Sequence, residues 1–201
     1  FTVTRIKSRE ALTAEYLKAL NPSYVFFPHW SWIIPDEILT DFQCVIFHMT
    51  DLPYGRGGSP LQNLIVRGKK ATVISAIKCV KELDAGPIYL KMPLTLDGTA
   101  KEILDRASTV IQQMIFKIVE GCGELKDQLG DVVSFKRRVS DDGDLSHLET
   151  TTQIYDYIRM LDADNYPCAF IEIDNFRLEF TSAKHVGETV EAVVKFHRRD
   201  K

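Results

Sequence analysis

Short, continuously apolar segments place the strongest limit on how this chain folds. Residues 24–27 and 44–47 are apolar at every position, and residues 71–80 and 87–94 also have strand character. Runs of this length are typical of strands buried on both faces of a parallel sheet. Apolar residues then recur at helical spacing over residues 99–120, which predicts an amphipathic helix. The pattern predicts an α/β domain with a mainly parallel sheet.

A second, smaller domain is predicted after residue 121. The amphipathic pattern ends at Gly121-Cys122-Gly123, and a polar segment follows. Beyond this segment the sequence predicts one helix and three strands, over residues 151–161, 169–173, 177–180 and 189–196. We therefore predict a first domain of residues 1–121 and a small α+β domain of residues 122–201.

Composition excludes several classes of protein. The formal net charge of −3 argues against a phosphate backbone as the main partner; no DNA binding is predicted, while tRNA binding stays possible. The four cysteines are scattered and form no C-x-x-C pair, which favours a reduced, cytoplasmic protein. No apolar run reaches the roughly 18 residues of a membrane span. No His, Cys, Asp and Glu cluster has metal-ligand spacing, so no metal is predicted.

His48 and Asp84 are the candidate reactive residues. His48 directly follows an apolar strand and opens a loop rich in Pro and Gly, where α/β enzymes place reactive groups. Asp84 lies in a turn after the next long strand, so two strand ends would bring it to the same cleft, where it would hold the imidazole in position. The alternatives are a loop histidine bonded to a carbonyl and an aspartate that only forms a turn.

Two further segments contain candidate binding residues. The loop Tyr54-Gly55-Arg56-Gly57-Gly58 resembles an anion-binding turn, in which Arg56 would bind a phosphate or carboxylate, although a solvated arginine explains it equally well. Trp30 and Trp32 would form the wall of a flat heteroaromatic site, or would pack against the second domain. A helix is predicted to begin at Ser59-Pro60, because Pro is favourable at the first helical position. Ser8 is predicted to cap another helix that ends near residue 20.

These motifs together resemble a known family. The matching residues, in chain order, are Trp32-Ile33-Ile34-Pro35, His48, Leu52-Pro53, Arg56-Gly57, Pro60-Leu61-Gln62 and Leu83-Asp84-Ala85-Gly86-Pro87. This order resembles the formyltransferases that use 10-formyltetrahydrofolate, and the second domain looks like the small C-terminal domain of methionyl-tRNA and amino-sugar formyltransferases. The resemblance implies a Rossmann-like formyltransferase domain followed by a small α+β domain.

The resemblance also implies roles for individual residues. His48 and Asp84 match the catalytic pair of the family. The folate would lie against the segment containing Trp30, Trp32 and Ile34 and the loop of Val80, Glu82 and Leu83. The acceptor would contact Tyr54, Arg56 and Gly57. The implied activity is transfer of a formyl group to an amine, without a metal and in the cytoplasm, and a homodimer is implied by analogy with the amino-sugar enzymes.

Two departures from the family pattern leave the acceptor open. Ile46 stands where the family usually has an asparagine that stabilises the oxyanion, a contribution of about 2.7–4 kcal/mol in other enzymes. The first strand and turn of a complete family member are not present before Phe1. The sequence favours a small amine, such as a nucleotide-linked amino sugar, as the acceptor. The alternatives are methionyl-tRNA, water, and a folate-binding module without activity.

Overall fold

The computed structural model describes residues 1–121 and 123–199. The helices are α1 (Ala14–Leu20), α2 (Asp36–Asp41), α3 (Pro60–Ile65), α4 (Ala100–Val119) and α5 (Thr151–Arg159), with one 3₁₀ turn at Ser140–Gly143. The strands are β1 (Val25–Phe27), β2 (Cys44–His48), β3 (Tyr54–Gly57), β4 (Ala71–Lys78), β5 (Ile88–Thr95), β6 (Val133–Phe135), β7 (Ala169–Ile173), β8 (Phe176–Val186) and β9 (Thr189–Arg198). Cys122, at the predicted domain boundary, and the last two residues of the predicted second domain lie outside the described residues.

The main sheet has the strand order β1-β2-β4-β5. The predicted α/β class with a small C-terminal domain is confirmed. In the described part of this sheet, however, only β1 and β2 pair in parallel, because β4 pairs antiparallel with both β2 and β5. Helix α2 connects β1 to β2 and allows a parallel crossover, whereas β4 and β5 are joined by a loop that turns the chain straight back.

Helix α4 covers the main sheet and begins with a complete capping box. The Thr99 hydroxyl accepts a hydrogen bond from the Glu102 amide, and the Glu102 carboxylate accepts one from the Thr99 amide. The predicted amphipathic face is confirmed, since its apolar residues are buried in one continuous core. That core also contains Ile158, Met160 and Ala169 of the C-terminal part, so both predicted domains share one apolar interior.

The C-terminal part is a three-stranded antiparallel sheet, β7-β8-β9, packed on α5. A buried ion pair links this part to the rest of the chain. Arg159 Nε donates to Asp156 Oδ1 at 2.6 Å, and its Nη1 donates to the carbonyls of Leu96 and Gly98 at 2.6 and 2.9 Å. Because those two carbonyls lie between β5 and α4, the guanidinium fixes α5 against the main sheet.

A second, two-stranded sheet corrects the sequence prediction. Residues 54–58 were predicted as a loop, but Tyr54–Gly57 form β3, which pairs in parallel with β6. The partner strand, β6, lies in the polar segment that follows the first predicted domain. Gly57 has φ +104°, and a Cβ at this position would lie 2.5 Å from the Phe135 carbonyl oxygen, so glycine permits the close pairing.

Two observations concern the cysteines and the membrane. Cys44, Cys79 and Cys168 are free, and the first two are buried. Burial raises the pKa of the Cys44 thiol to about 11, so the thiol stays neutral. In the part of the chain that the structure describes, no helix combines the length and apolarity needed to cross a membrane.

Candidate active site

His48 lies at the end of β2, where one hydrogen bond orients its ring. Its side chain is buried, and Nε2 lies 2.7 Å from the Gly55 carbonyl oxygen. A carbonyl oxygen can only accept a hydrogen bond, so Nε2 donates and the Nδ1 atom keeps its lone pair when the ring is neutral. The Thr50 hydroxyl donates to the same carbonyl at 3.3 Å. Nδ1 is therefore the ring atom available to take a proton.

Asp84 faces that free nitrogen. Its Oδ2 atom lies 3.6 Å from His48 Nδ1, and both side chains are nine-tenths or more buried. The same oxygen accepts a hydrogen bond from the Gly57 amide at 2.9 Å. A carboxylate in this position would stabilise positive charge on the imidazole once Nδ1 has taken a proton. The structure thus brings together the two residues predicted to form the catalytic pair.

The loop that carries Asp84 is sealed against β4. A Cβ on Gly86 would lie 1.7 Å from the carbonyl oxygen of Lys78, so only glycine permits this approach. Asp84 itself has φ +52°, a left-handed conformation that Asp and Asn tolerate better than most residues. The Asp-Ala-Gly sequence therefore has a steric basis. Asp84 supplies the carboxylate, and Gly86 lets the loop pack closely against β4.

The residues predicted to contact the acceptor lie beside this pair. Arg56 Nη1 donates to Glu82 Oε1 at 2.9 Å, and its Nε and Nη2 donate to Gln128 Oε1 at 3.1 and 2.9 Å. The guanidinium thus bridges to a residue predicted to contact folate. The Tyr54 ring packs edge-on against Phe135, with ring centroids 5.3 Å apart. The assignment of Tyr54, Arg56 and Gly57 to the acceptor stays a prediction.

The residues predicted to contact folate form a largely apolar wall. Trp30 and Trp32 pack edge-to-face with ring centroids 5.0 Å apart, and Trp30 and Ile34 belong to the same apolar cluster as Cys79. Lys81 Nζ lies 3.1 Å from Asp36 Oδ2 and ties the loop after β4 to the segment that follows Ile34. The two predicted walls are therefore neighbours in space.

This wall combines exposed apolar surface with one unpaired hydrogen-bond donor. Trp32, Leu83 and Val80 expose large apolar surfaces, whereas Ile34 is buried. Trp30 Nε1 is buried and has no hydrogen-bond partner among the described residues, which leaves a donor for a ligand acceptor. Burial raises the pKa of the Cys79 thiol, and the Cys44 thiol and the Asp84 carboxylate act in the same direction. Cys79 therefore lines the wall as a neutral group.

Ile46 stands two residues before His48 on the same face of β2. It is half-buried and packs on the apolar cluster of Trp30 and Ile34. An aliphatic side chain donates no hydrogen bond, so the position where the family usually has asparagine offers no side-chain donor to an oxyanion. The described residues contain no group of three or more His, Cys, Asp or Glu side chains arranged to hold a metal ion.

Gln128 is a site residue that the sequence did not reveal. Its side-chain amide donates to the carbonyls of Asp84 and Gly86 at 2.8 and 2.9 Å, while its oxygen accepts from Arg56. The residue thus clamps the Asp84 loop to β3. A single glutamine in a polar segment has no local sequence signature. Gln128 reaches the Asp84 loop because the segment that contains it leads into β6, which pairs with β3.

Replacing Gln128 with leucine is expected to lower kcat for the reaction at the His48–Asp84 pair about tenfold, because a small misplacement of reacting groups costs this much or more. The clamp lies outside the main core, so the midpoint of thermal unfolding should change little. Steady-state kinetics and a thermal unfolding curve of the same preparation check this result. The control is Gln112→Leu on the exposed face of α4; equal activity of the two variants would contradict the role of the clamp.

Comparison with known proteins identifies the family of this chain. A family model described as formyl transferase matches residues 3–119, and one described as the C-terminal domain of methionyl-tRNA formyltransferase matches residues 140–197. The chain, with its buried His–Asp pair beside an apolar wall, therefore belongs to the formyl transferase family.

Individual relatives agree with this family. A methionyl-tRNA formyltransferase structure from Clostridium thermocellum is 48% identical with a TM-score of 0.93, over 96% of this chain and 86% of that one. The methionyl-tRNA formyltransferase of Thermodesulfovibrio yellowstonii is 26% identical over 81% of this chain. The chain spans 55% of the length of that curated relative. A sugar N-formyltransferase from a Shewanella species shares the fold, with 16% identity and a TM-score of 0.67 over 88% of this chain and 76% of that one.

Proposed function

We propose that this chain transfers the formyl group of 10-formyltetrahydrofolate to an amine. The observation that carries the proposal is the buried pair of His48 and Asp84, whose Nδ1 and Oδ2 atoms face each other at 3.6 Å. Trp30, Trp32 and Leu83 would hold the pterin of the formyl donor. The donor supplies an activated formyl carbon next to the pair.

The chemistry follows from the orientation of the His48 ring. The acceptor amine attacks the formyl carbon and forms a new C–N bond, and His48 Nδ1 takes the proton that the amine loses. Asp84 stabilises the charged ring. The bond between the formyl carbon and the folate nitrogen then breaks, and the proton passes to the departing nitrogen. Ile46 supplies no side-chain donor to the oxyanion, so the protonated ring of His48 would stabilise its negative charge.

We propose methionyl-tRNA as the acceptor, which the sequence placed second to a nucleotide-linked amino sugar. The relative that is 48% identical is named a methionyl-tRNA formyltransferase, and so is the T. yellowstonii protein. The basic run Lys136-Arg137-Arg138 supports the same acceptor. The Arg138 amide donates to Ser59 Oγ at 3.1 Å, and Asn63 Nδ2 donates to the Lys136 carbonyl at 2.9 Å. These contacts hold the basic run beside the loop that leads away from Gly57.

Release of tetrahydrofolate from 10-formyltetrahydrofolate tests the proposal. The assay is run with methionyl-tRNA, with a panel of nucleotide-linked amino sugars, and without any amine. Release that requires methionyl-tRNA supports the proposed acceptor, whereas release that requires an amino sugar replaces it. Release without an amine indicates a hydrolase. Folate binding without release under all three conditions would leave a binding module.

Replacing both Lys136 and Arg137 with glutamine is expected to raise KM for methionyl-tRNA and to leave kcat nearly unchanged. Each phosphate contact contributes about 0.7–0.9 to the slope of log affinity against log salt, so the double variant should reduce this slope by about 1–2. Both side chains are exposed, and Arg138 is kept because its guanidinium packs over the Tyr157 ring. Lys117→Gln on α4 is the control, and an unchanged salt slope in the double variant would contradict tRNA contact here.

A further inference from the structure

Arg56 is a largely buried arginine that pairs with an exposed glutamate. The Arg56 side chain is 15% exposed and that of Glu82 is 75% exposed, and Arg56 Nη1 donates to Glu82 Oε1 at 2.9 Å. The uncharged side-chain oxygen of Gln128 accepts hydrogen bonds from the other two guanidinium nitrogens. Among the residues that the structure describes, Glu82 is therefore the only carboxylate within ion-pair distance of this guanidinium.

The two members of this ion pair depend on each other unequally. A buried guanidinium is unfavourable unless a group of opposite charge stays beside it. An exposed carboxylate is well hydrated, and an ion pair contributes little to its stability. Arg56 therefore requires an anion, whereas Glu82 can move into water when another anion takes its place.

Arg56 lies between the two residues whose backbone groups hold the reactive pair. The Gly55 carbonyl accepts a hydrogen bond from His48 Nε2, and the Gly57 amide donates one to Asp84 Oδ2. An external anion bound to the Arg56 guanidinium would therefore lie beside the strand that orients both reactive side chains.

Further positive charge lies next to the same strand. Gly57 pairs with Phe135, which Lys136 and Arg137 follow directly, and both of these basic side chains are exposed. A Cβ at Gly58 would lie 2.5 Å from Arg137 Cβ, so the two chain segments are in contact. An arginine fork with further cations on the neighbouring segment is typical of a site that binds phosphate.

We propose that Glu82 is an internal counter-ion, which occupies Arg56 in the free chain and leaves it when a phosphate group of the acceptor binds there. The inference rests on the proposed function, since methionyl-tRNA and nucleotide-linked amino sugars both carry phosphate. Glu82 then acts as a specificity residue. An acceptor with a phosphate must displace the carboxylate, whereas the binding of an amine without a phosphate does not depend on the charge of Glu82.

Replacing Glu82 with glutamine tests the counter-ion role, because it removes the charge and keeps the shape of the side chain. Isothermal titration calorimetry at constant ionic strength measures the affinity for inorganic phosphate. We expect the variant to bind phosphate about tenfold more tightly than the unmodified chain, and Arg56→Met to lose this binding. The control is Glu188→Gln, which removes the same charge from an exposed position between β8 and β9. Circular dichroism verifies that each variant keeps the fold.

Steady-state kinetics identify the source of the phosphate. Glu82→Gln should lower KM about tenfold for the acceptor that the release assay identifies. KM should stay unchanged for the same acceptor without phosphate, which is methionyl-adenosine or the free amino sugar. Tighter binding of inorganic phosphate without a lower KM for the acceptor would overturn the assignment to the acceptor. A change confined to KM for the folate donor would also overturn it, because Glu82 would then contact the donor.

The titration separates this inference from the proposed function, because phosphate binding requires no turnover. Equal phosphate affinities of the Glu82→Gln variant and the unmodified chain would overturn the counter-ion role, whatever the kinetics show. Tighter phosphate binding in the variant, in a chain that transfers no formyl group, would support the phosphate site and overturn the proposed function.

Discussion

Alanine at position 48 is expected to slow formyl transfer by about 10²–10⁴-fold, the usual contribution of a positioned general base. The variant removes the Nδ1 atom that faces Asp84 and the Nε2 atom that donates to Gly55. The fold should persist, because strand β2 is held by backbone pairing with β1 and β4. Single-turnover release of tetrahydrofolate, measured with saturating donor and acceptor, gives the rate of the chemical step.

The matched control for position 48 is His147→Ala, because His147 is exposed in the C-terminal part.

Asparagine at position 84 tests the partner residue of His48 with less disturbance than alanine. It tolerates the left-handed backbone at this position and still accepts a hydrogen bond from the Gly57 amide. Since the two residues act as a unit, the double variant should be little slower than either single variant. Wild-type rates in both single variants would show that the pair is not catalytic.

The second large effect concerns stability. Replacing Arg159 with methionine should lower the free energy of unfolding by about 3–5 kcal/mol, because Asp156 would remain buried and, among the described residues, would keep only Lys70, 4.0 Å away, as a cationic partner. The carbonyls of Leu96 and Gly98 would lose a donor as well. For a chain of this size, the midpoint of thermal unfolding should fall by about 10 °C, as measured by differential scanning calorimetry.

A matched ion pair shows whether burial is the cause. Lys101 and Asp105 are also paired on a helix, 2.8 Å apart, but both side chains are mostly exposed. Lys101→Met should therefore change the stability by no more than about 0.5 kcal/mol. Adding Asp156→Asn to the Arg159→Met variant should recover part of the loss, because it removes the unpaired charge. Equal effects of Arg159→Met and Lys101→Met would contradict the assigned role of the buried pair.

Local sequence signals predicted the elements that depend on local chemistry. Helix α3 begins at Pro60, as its favourable first position indicated, and α4 follows Thr99 with a complete capping box. The helix predicted from Ser8 begins later, because the Thr13 hydroxyl accepts a hydrogen bond from the Tyr16 amide and caps α1 at that point. Two hydroxyl residues five positions apart both satisfy the capping pattern, and only packing decides between them.

Features that depend on distant pairing were not predictable from local signals. Strand β3 is short and rich in glycine, so its sequence predicts a loop. It forms a strand because it pairs with β6, which lies far away in the sequence. Gln128 became part of the site through the same pairing. The association of His48 with Asp84 was predicted because both follow strands of one sheet. The catalytic roles of these residues stay predictions until the kinetic measurements are made.

The pairing of β3 with β6 has a consequence for the order in which the protein is built. The Asp84 loop is clamped by Gln128, and the segment after Gly57 is held by residues beyond Phe135. A ribosome that has released only the first 120 residues has therefore exported His48 and Asp84 with Gly55 and Gly57 but without Gln128. The entropy cost of closing such a long loop is met only when these contacts form, so the clamp on the Asp84 loop forms only after Gln128 and Phe135 have emerged. The growing chain therefore contains the His48–Asp84 pair before it contains the residue that clamps the Asp84 loop.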